Sequence, residues 1–125
     1  DIAMDIHPLN NLRVLRYLAK TLGVGTDAKD AWSQHWMTLG LESLEKQLST
    51  DARVGRFAYG DQAGLIDICL VPQVFNALSA KIEMKAYPTL MKIFYECMKL
   101  PAFIDASWEK QIDAEGLNPP VPPQE

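Results

Sequence analysis

The sequence predicts an all-α fold, a bundle of about five helices. Three observations carry this expectation. Apolar residues recur at three- and four-residue intervals through almost the whole chain, the period of an amphipathic helix. Strand-like alternation is hard to find. Glycine and proline punctuation divides the chain into five such segments, with no internal repeat of solenoid type.

The first helix is expected from Pro8 to Leu22, with proline in the first turn, where its missing N–H costs nothing. Leu12, Val14, Leu15, Leu18, Ala19 and Leu22 form its apolar arc, and Asn10, Arg13 and Tyr17 a polar stripe. Asn11 falls inside the apolar arc. Gly23 and Gly25 end the helix. The second is expected from Thr26 or Asp27, either of which can cap it, to about Ser49. Trp32, Trp36 and Leu39 lie on one side, Met37, Leu41, Leu44 and Leu48 on another, and Glu42, Glu45 and Lys46 mark the wet face. So wide an apolar arc touches two neighbours, or one neighbour and another subunit. Gly40, between the patches, permits a close approach.

Residues 50–63 read as a polar connection. The third helix, Leu65 to Leu78, is apolar all round and is expected at the centre of the bundle. Pro72 lies in its interior, and Gln73 and Asn76 are expected to bond to neighbouring backbone. A fourth helix starts at Pro88 and runs to Leu100; a short fifth covers Pro101 to about Trp108. Residues 1–113 form one helical domain, and 114–125, with four of the eight prolines, an extended tail.

Composition narrows the function. The chain has 125 residues, 48% apolar and 22% charged, with a net charge of −4. That is one domain able to bury its own core. The acidic balance, without a Lys/Arg block, argues against nucleic acid as a partner. No apolar run approaches the roughly 20 residues of a membrane span, and the amino end lacks a secretory pattern, so a cytoplasmic protein is expected. Cys69 and Cys97 have neither a disulfide framework nor zinc spacing and are expected as buried, reduced thiols. No phosphate loop, nucleophile elbow or metal cluster occurs, so neither a catalytic residue nor a metal ligand is named.

Two local patterns remain. Gly64 followed by Asp67 reads as half of a capping box, the carboxylate reaching back to the cap's N–H. Asn10, Asn11 and Arg13 cluster over one turn: a solvated arginine beside a capped turn, or a site where Arg13 meets a carboxylate and an asparagine amide orients the ligand. His7 and His35 stand without a nameable partner.

DIHPLNNLRVLRYL, HWMTLGLESLE, GDQAGLIDICLVPQVFNA and YPTLMKIFYECMKLPAF together resemble the carboxy-terminal helical domain of zeta-class glutathione transferases, the class of maleylacetoacetate and maleylpyruvate isomerases. The resemblance spans about residues 3–113. It implies a glutathione transferase-like helical bundle, with glutathione bound mainly by an amino-terminal thioredoxin-like domain that is absent from this chain. It implies that Asn10, Asn11 and Arg13 line the cleft facing glutathione and a small unsaturated acid. It also implies a homodimer. Where the family carries an arginine against a substrate carboxylate, this chain has Ser79, with Lys81 the nearest cation; where the family caps with a hydroxyl, it has Gly64. The implied function is the substrate-binding half of a glutathione-dependent cis–trans isomerase, inactive alone. The alternative is a non-enzymatic interaction or dimerisation module using the face around Trp32, Trp36 and Leu39.

Overall fold

The computed structural model describes residues 1–112 and 114. Among these residues every regular element is helical, and only an isolated bridge joins Val54 to Gly60. A π-helical turn at Ile2–Ile6 leads into α1 (His7–Asn10) and α2 (Leu12–Lys20). Then come α3 (Thr26–Thr50), α4 (Leu65–Ser79), α5 (Pro88–Cys97) and α6 (Pro101–Asp105), with single 3-10 turns at Met84–Ala86 and Trp108–Lys110. The last two expected helices are thus shorter than their apolar periods suggest. The proline-rich tail, apart from Ala114, lies outside the described residues.

The expected first helix is broken in two. Asn11 has an extended backbone, with φ −71° and ψ 158°. Its Oδ1 accepts from the Val14 N–H at 3.2 Å, and its Nδ2 donates to the Pro8 carbonyl at 3.1 Å. One amide therefore closes α1 and caps α2. That explains a polar side chain in an apolar arc, and a one-residue break leaves the 3.6-residue period almost unchanged.

The start of α3 also differs. Neither Thr26 nor Asp27 caps it; Gly25 takes the position without a side-chain bond. The Trp32 Nε1–H straps α1 to α3 by donating to the Leu9 carbonyl at 2.9 Å. Gly40 does permit a close approach: the buried Ile6 side chain lies where any β-carbon on residue 40 would sit. Glu45, expected on the wet face, is half-buried instead. Its two carboxylate oxygens accept the N–H groups of Thr89 and Leu90, each at 3.0 Å. Those are orphan donors in the first turn of α5, which has no side-chain cap of its own.

The core lies between α3, α4 and α5. Leu41 and Leu44, Leu70 and Val74, and Leu90 and Phe94 are its buried centre. Phe75 meets Phe94 edge to face at 5.4 Å. The expectation that α4 is enclosed on every side is corrected: Leu65, Ile66 and Ile68 are exposed, Leu65 to 76%. In its opening turns only the side of Asp67 and Leu70 is covered. For the same reason Cys69 is half-buried, whereas Cys97 is fully buried as expected. The connection after α3 is less polar in effect than in composition, because Phe57 and Ala58 turn inward to join the core.

Candidate functional site

Helix α4 carries two buried polar residues that serve different ends. Asp67, 1% exposed, accepts the Gly64 N–H on Oδ2 at 2.8 Å and the Ala58 N–H on Oδ1 at 2.9 Å. The Cys97 thiol adds a weak contact to Oδ1 at 3.9 Å. Asp67 thus closes the amino end of α4 and pins the preceding loop to it. Because Gly64 has no side chain, only the carboxylate half of a capping box exists.

Gln73, two turns on and 2% exposed, is the opposite case. Among the described residues its Nε2 has no hydrogen-bond partner, and neither does the buried Oδ1 of Asn10. The expectation that Gln73 bonds to neighbouring backbone is therefore corrected for that nitrogen. A buried donor without a partner costs about 1–3 kcal/mol. Both orphan groups belong to residues lining one cleft of about 530 Å³ between α2, α3 and the end of α4. Asn10, Asn11, Ser33, Asn76, Ser79 and Lys81 also face it, with His7 and Asp30 at its wall.

A second cavity, of about 770 Å³, lies on the other side of Asn76 and Ser79. Val71, Pro72, Phe75, Leu100, Phe103 and Trp108 give it an apolar wall. No charged side chain is among its described lining residues.

The structure therefore brings Asn10 and Asn11 into one cleft with Ser79 and Lys81 but leaves Arg13 outside that lining; Arg13 is exposed on α2. Asn10 Nδ2 donates to the Ile6 carbonyl at 3.0 Å, so its remaining capacity is the orphan oxygen. Asn11 spends both ends of its amide on the helix break. Trp108 and Phe103, which line the larger cavity, carry no sequence signal that separates a cavity wall from a core.

The end of α4 is built as a Schellman motif. The Ile82 N–H reaches the Ala77 carbonyl and the Lys81 N–H the Leu78 carbonyl, each at 3.0 Å, with Lys81 left-handed at φ 60°. Glycine takes that conformation freely and lysine does not. The turn places Lys81 at the cleft two residues from Ser79.

The most displaced titrations lie elsewhere. Arg53 bonds to Asp51 and holds its carboxyl down to about 2, in the exposed loop after α3. Burial, with the Asp67 carboxylate as a second cause, pushes the Cys97 thiol up to about 12. A thiol in that condition is a poor nucleophile at neutral pH. Among the described residues, no cluster of three or more His, Cys, Asp or Glu side chains is arranged to hold a metal ion, and no helix is long and apolar enough to cross a membrane.

No family model matches the chain. Individual proteins do. The chain is 46% identical over 114 residues to a probable maleylacetoacetate isomerase of Vibrio cholerae, covering 91% of this chain and 52% of that protein. The crystal structure of maleylpyruvate isomerase from Pseudomonas aeruginosa PAO1 superposes with a TM-score of 0.86 at 42% identity, over 90% of this chain and 59% of the other. A maleylacetoacetate isomerase from Methylobacterium extorquens AM1, solved with malonate and glutathione bound, gives 0.88 at 31% identity, over 92% and 54%. The chain spans about half the length of the curated relatives it matches. Fold and matches first define a class, the carboxy-terminal helical domain of a glutathione transferase. Within that class the chain belongs with the zeta type, the family of the maleylacetoacetate and maleylpyruvate isomerases.

Proposed function

We propose that this chain is the acid-binding half of a glutathione-dependent cis–trans isomerase of small unsaturated acids, maleylacetoacetate or a similar compound. The observation that carries this reading is a polar cleft with two orphan hydrogen-bonding groups, in a chain that matches such isomerases over nine-tenths of its length. In the proposal, glutathione is held mainly by a thioredoxin-like domain outside this chain, the active protein is a cytoplasmic homodimer, and the helical half alone is inactive.

The described residues fit that division. They offer polar groups for an acid but no activated thiol: Cys97 is buried with its thiol pushed up, and Cys69 lines neither cavity. When bound, glutathione supplies a thiolate able to convert a conjugated cis double bond transiently into a rotatable single bond. This chain's residues orient the acid and keep water from it. Asn10 and Asn11 form one side of the cleft, and Arg13 meets a carboxylate from the exposed side of α2. The apolar cavity receives the rest of the molecule.

The test is expression of the complete reading frame that carries this chain, followed by the loss of cis-acid absorbance with and without glutathione. Glutathione-dependent loss supports the reading. In such a protein Arg13→Ala is expected to lower turnover of dianionic acids more than neutral ones. A folded product that neither binds glutathione nor consumes the acid overturns the proposal in favour of an interaction module using the face around Trp32, Trp36 and Leu39, of which Leu39 is exposed.

A further inference from the structure

We infer that Gln73 reads the ligand in the polar cleft: its amide N–H meets the ketone oxygen conjugated with the cis double bond of the acid, and holds the charge that gathers there during isomerisation. This deepens the proposed function and rests on it for the reaction; the carbonyl contact itself is testable without it.

The amides along the cleft are spent differently. Asn10 donates to the Ile6 carbonyl at 3.0 Å, Asn11 to the Pro8 carbonyl at 3.1 Å and Gln34 to the Ala80 carbonyl at 3.0 Å. Asn76, three residues after Gln73 and on the same face of α4, is exposed, so solvent can satisfy its amide. Gln73 differs from all of them. It is 2% exposed, lines the same cleft, and has no partner for its nitrogen among the described residues. Such a donor costs stability where it stands, and a ligand oxygen that takes it recovers that cost on binding. A glutamine amide is planar, with ends of nearly equal size and a broad last torsion, so a half-turn presents the N–H where the carbonyl stood.

The acceptor that suits this donor is a neutral carbonyl. Asp30 and Lys81 bring opposite charges to the cleft lining, and the unpaired Asn10 oxygen adds the negative end of a dipole. Together they offer a buried carboxylate no net attraction, whereas an uncharged oxygen is tolerated among them. In the proposed function a carboxylate is met instead by Arg13, on the exposed side of α2. Maleylacetoacetate carries the required oxygen, a ketone conjugated with its cis double bond. As a C–S bond forms at the far carbon of that double bond, the electron pair moves toward the carbonyl and the ketone oxygen becomes negative. After rotation the pair returns and the C–S bond breaks, with no proton gained or lost. An N–H held by α4 away from bulk water bonds more strongly as that charge grows, a gain larger in the transition state than in the bound acid.

The experiment uses the complete protein that carries this chain, isotopically labelled at its glutamine side chains, and two diacids that differ only in a ketone, 4-oxoheptanedioate and heptanedioate. Without glutathione, the ketone acid is expected to bind about tenfold tighter and to move the Gln73 side-chain N–H resonance downfield, while heptanedioate leaves it in place. Gln73→Leu, which removes an unpaired donor and is expected to fold normally, should bind the two diacids alike. With glutathione and the cis acid, the same variant is expected to lose about a hundredfold in kcat, a larger factor than its rise in KM. Equal binding of the two diacids to the parent, an unmoved Gln73 resonance, or an unchanged kcat in Gln73→Leu of an active parent each overturns the inference. A parent that prefers the ketone acid but shows no glutathione-dependent turnover overturns the isomerase reading, and with it the charge-holding role, while the carbonyl contact stands.

Discussion

Asp67 and Gln73 are six residues apart on one helix, and both are buried, yet their hydrogen bonding is opposite. Asp67 holds two backbone N–H groups and touches a thiol; the Gln73 amide nitrogen has no partner among the described residues. A buried polar group that is fully paired fixes a fold, and one left unpaired costs stability at its position. The amino end of α4 is thus committed to folding, while its carboxyl end keeps hydrogen-bonding capacity in reserve beside a cleft.

The largest expected effects break this contrast directly. Asp67→Ala strands the N–H groups of Gly64 and Ala58 together and should cost about 3 kcal/mol in urea unfolding. Asp67→Asn keeps acceptor capacity at one oxygen only and should cost less. Gln73→Leu removes the orphan donor at similar volume, so it should change stability by less than about 1 kcal/mol, or raise it. Equal losses at the two positions would mean that the Gln73 amide is paired in solution and that the contrast is not real.

Next in size is Glu45. Its carboxylate caps α5 from a different helix, so Glu45→Ala should cost about 2 kcal/mol by the same measurement. A loss below about 0.5 kcal/mol, the usual limit for an exposed residue, would return Glu45 to the wet face that its sequence position suggests.

Glu45 also shows where legibility ends. Helix existence, the Gly64–Asp67 cap motif, the apolar core of α4 and the room above Gly40 all follow from local pattern, and the structure contains each of them. The cap that Glu45 gives Thr89 spans 44 residues of sequence, and no local period encodes it. The break at Asn11 was half legible: an amide in an apolar arc was out of place, but the period continues across it. Within the site, the polar cluster at Asn10 and Asn11 is visible in the sequence, whereas the significance of Ser79 comes only from the family resemblance. Two features were not legible. The chain doubles back at Lys81 in a conformation that the residue type disfavours, and Phe103, Ser107 and Trp108 line an apolar cavity together with α4. Both depend on how separate elements pack.

A smaller effect sharpens the contrast at the far end of α4. Lys81 occupies the left-handed position of the Schellman turn, where glycine removes the clash of the β-carbon. Lys81→Gly should therefore stabilise the chain by up to about 1 kcal/mol, the gain being reduced by glycine's greater freedom when unfolded. The same variant should weaken carboxylate binding in the cleft. Stability and ligand affinity moving in opposite directions at one residue is the signature expected of backbone strain held at a binding site. A destabilised variant would mean that the lysine side chain contributes packing that outweighs the strain.

The smallest effect tests the amino end through its thiol. Cys97 lies in the core against Asp67, and burial, then that carboxylate, pushes it up to about 12 from an ordinary value near 9. The folded state therefore holds the thiol proton more tightly than the unfolded chain does. Its contribution is fully present below about pH 9 and is lost progressively as pH rises toward 12. Urea midpoints of the parent chain should fall more steeply above pH 9 than those of Cys97→Ala, although the variant starts lower because it leaves a cavity. A disulfide reagent at neutral pH should label the half-buried Cys69 in the native protein and reach Cys97 only after unfolding. Parallel alkaline slopes, or native labelling of both thiols, would show that the region around Asp67 opens as readily as the cleft around Gln73, and the division of α4 into a folding end and a binding end would fail.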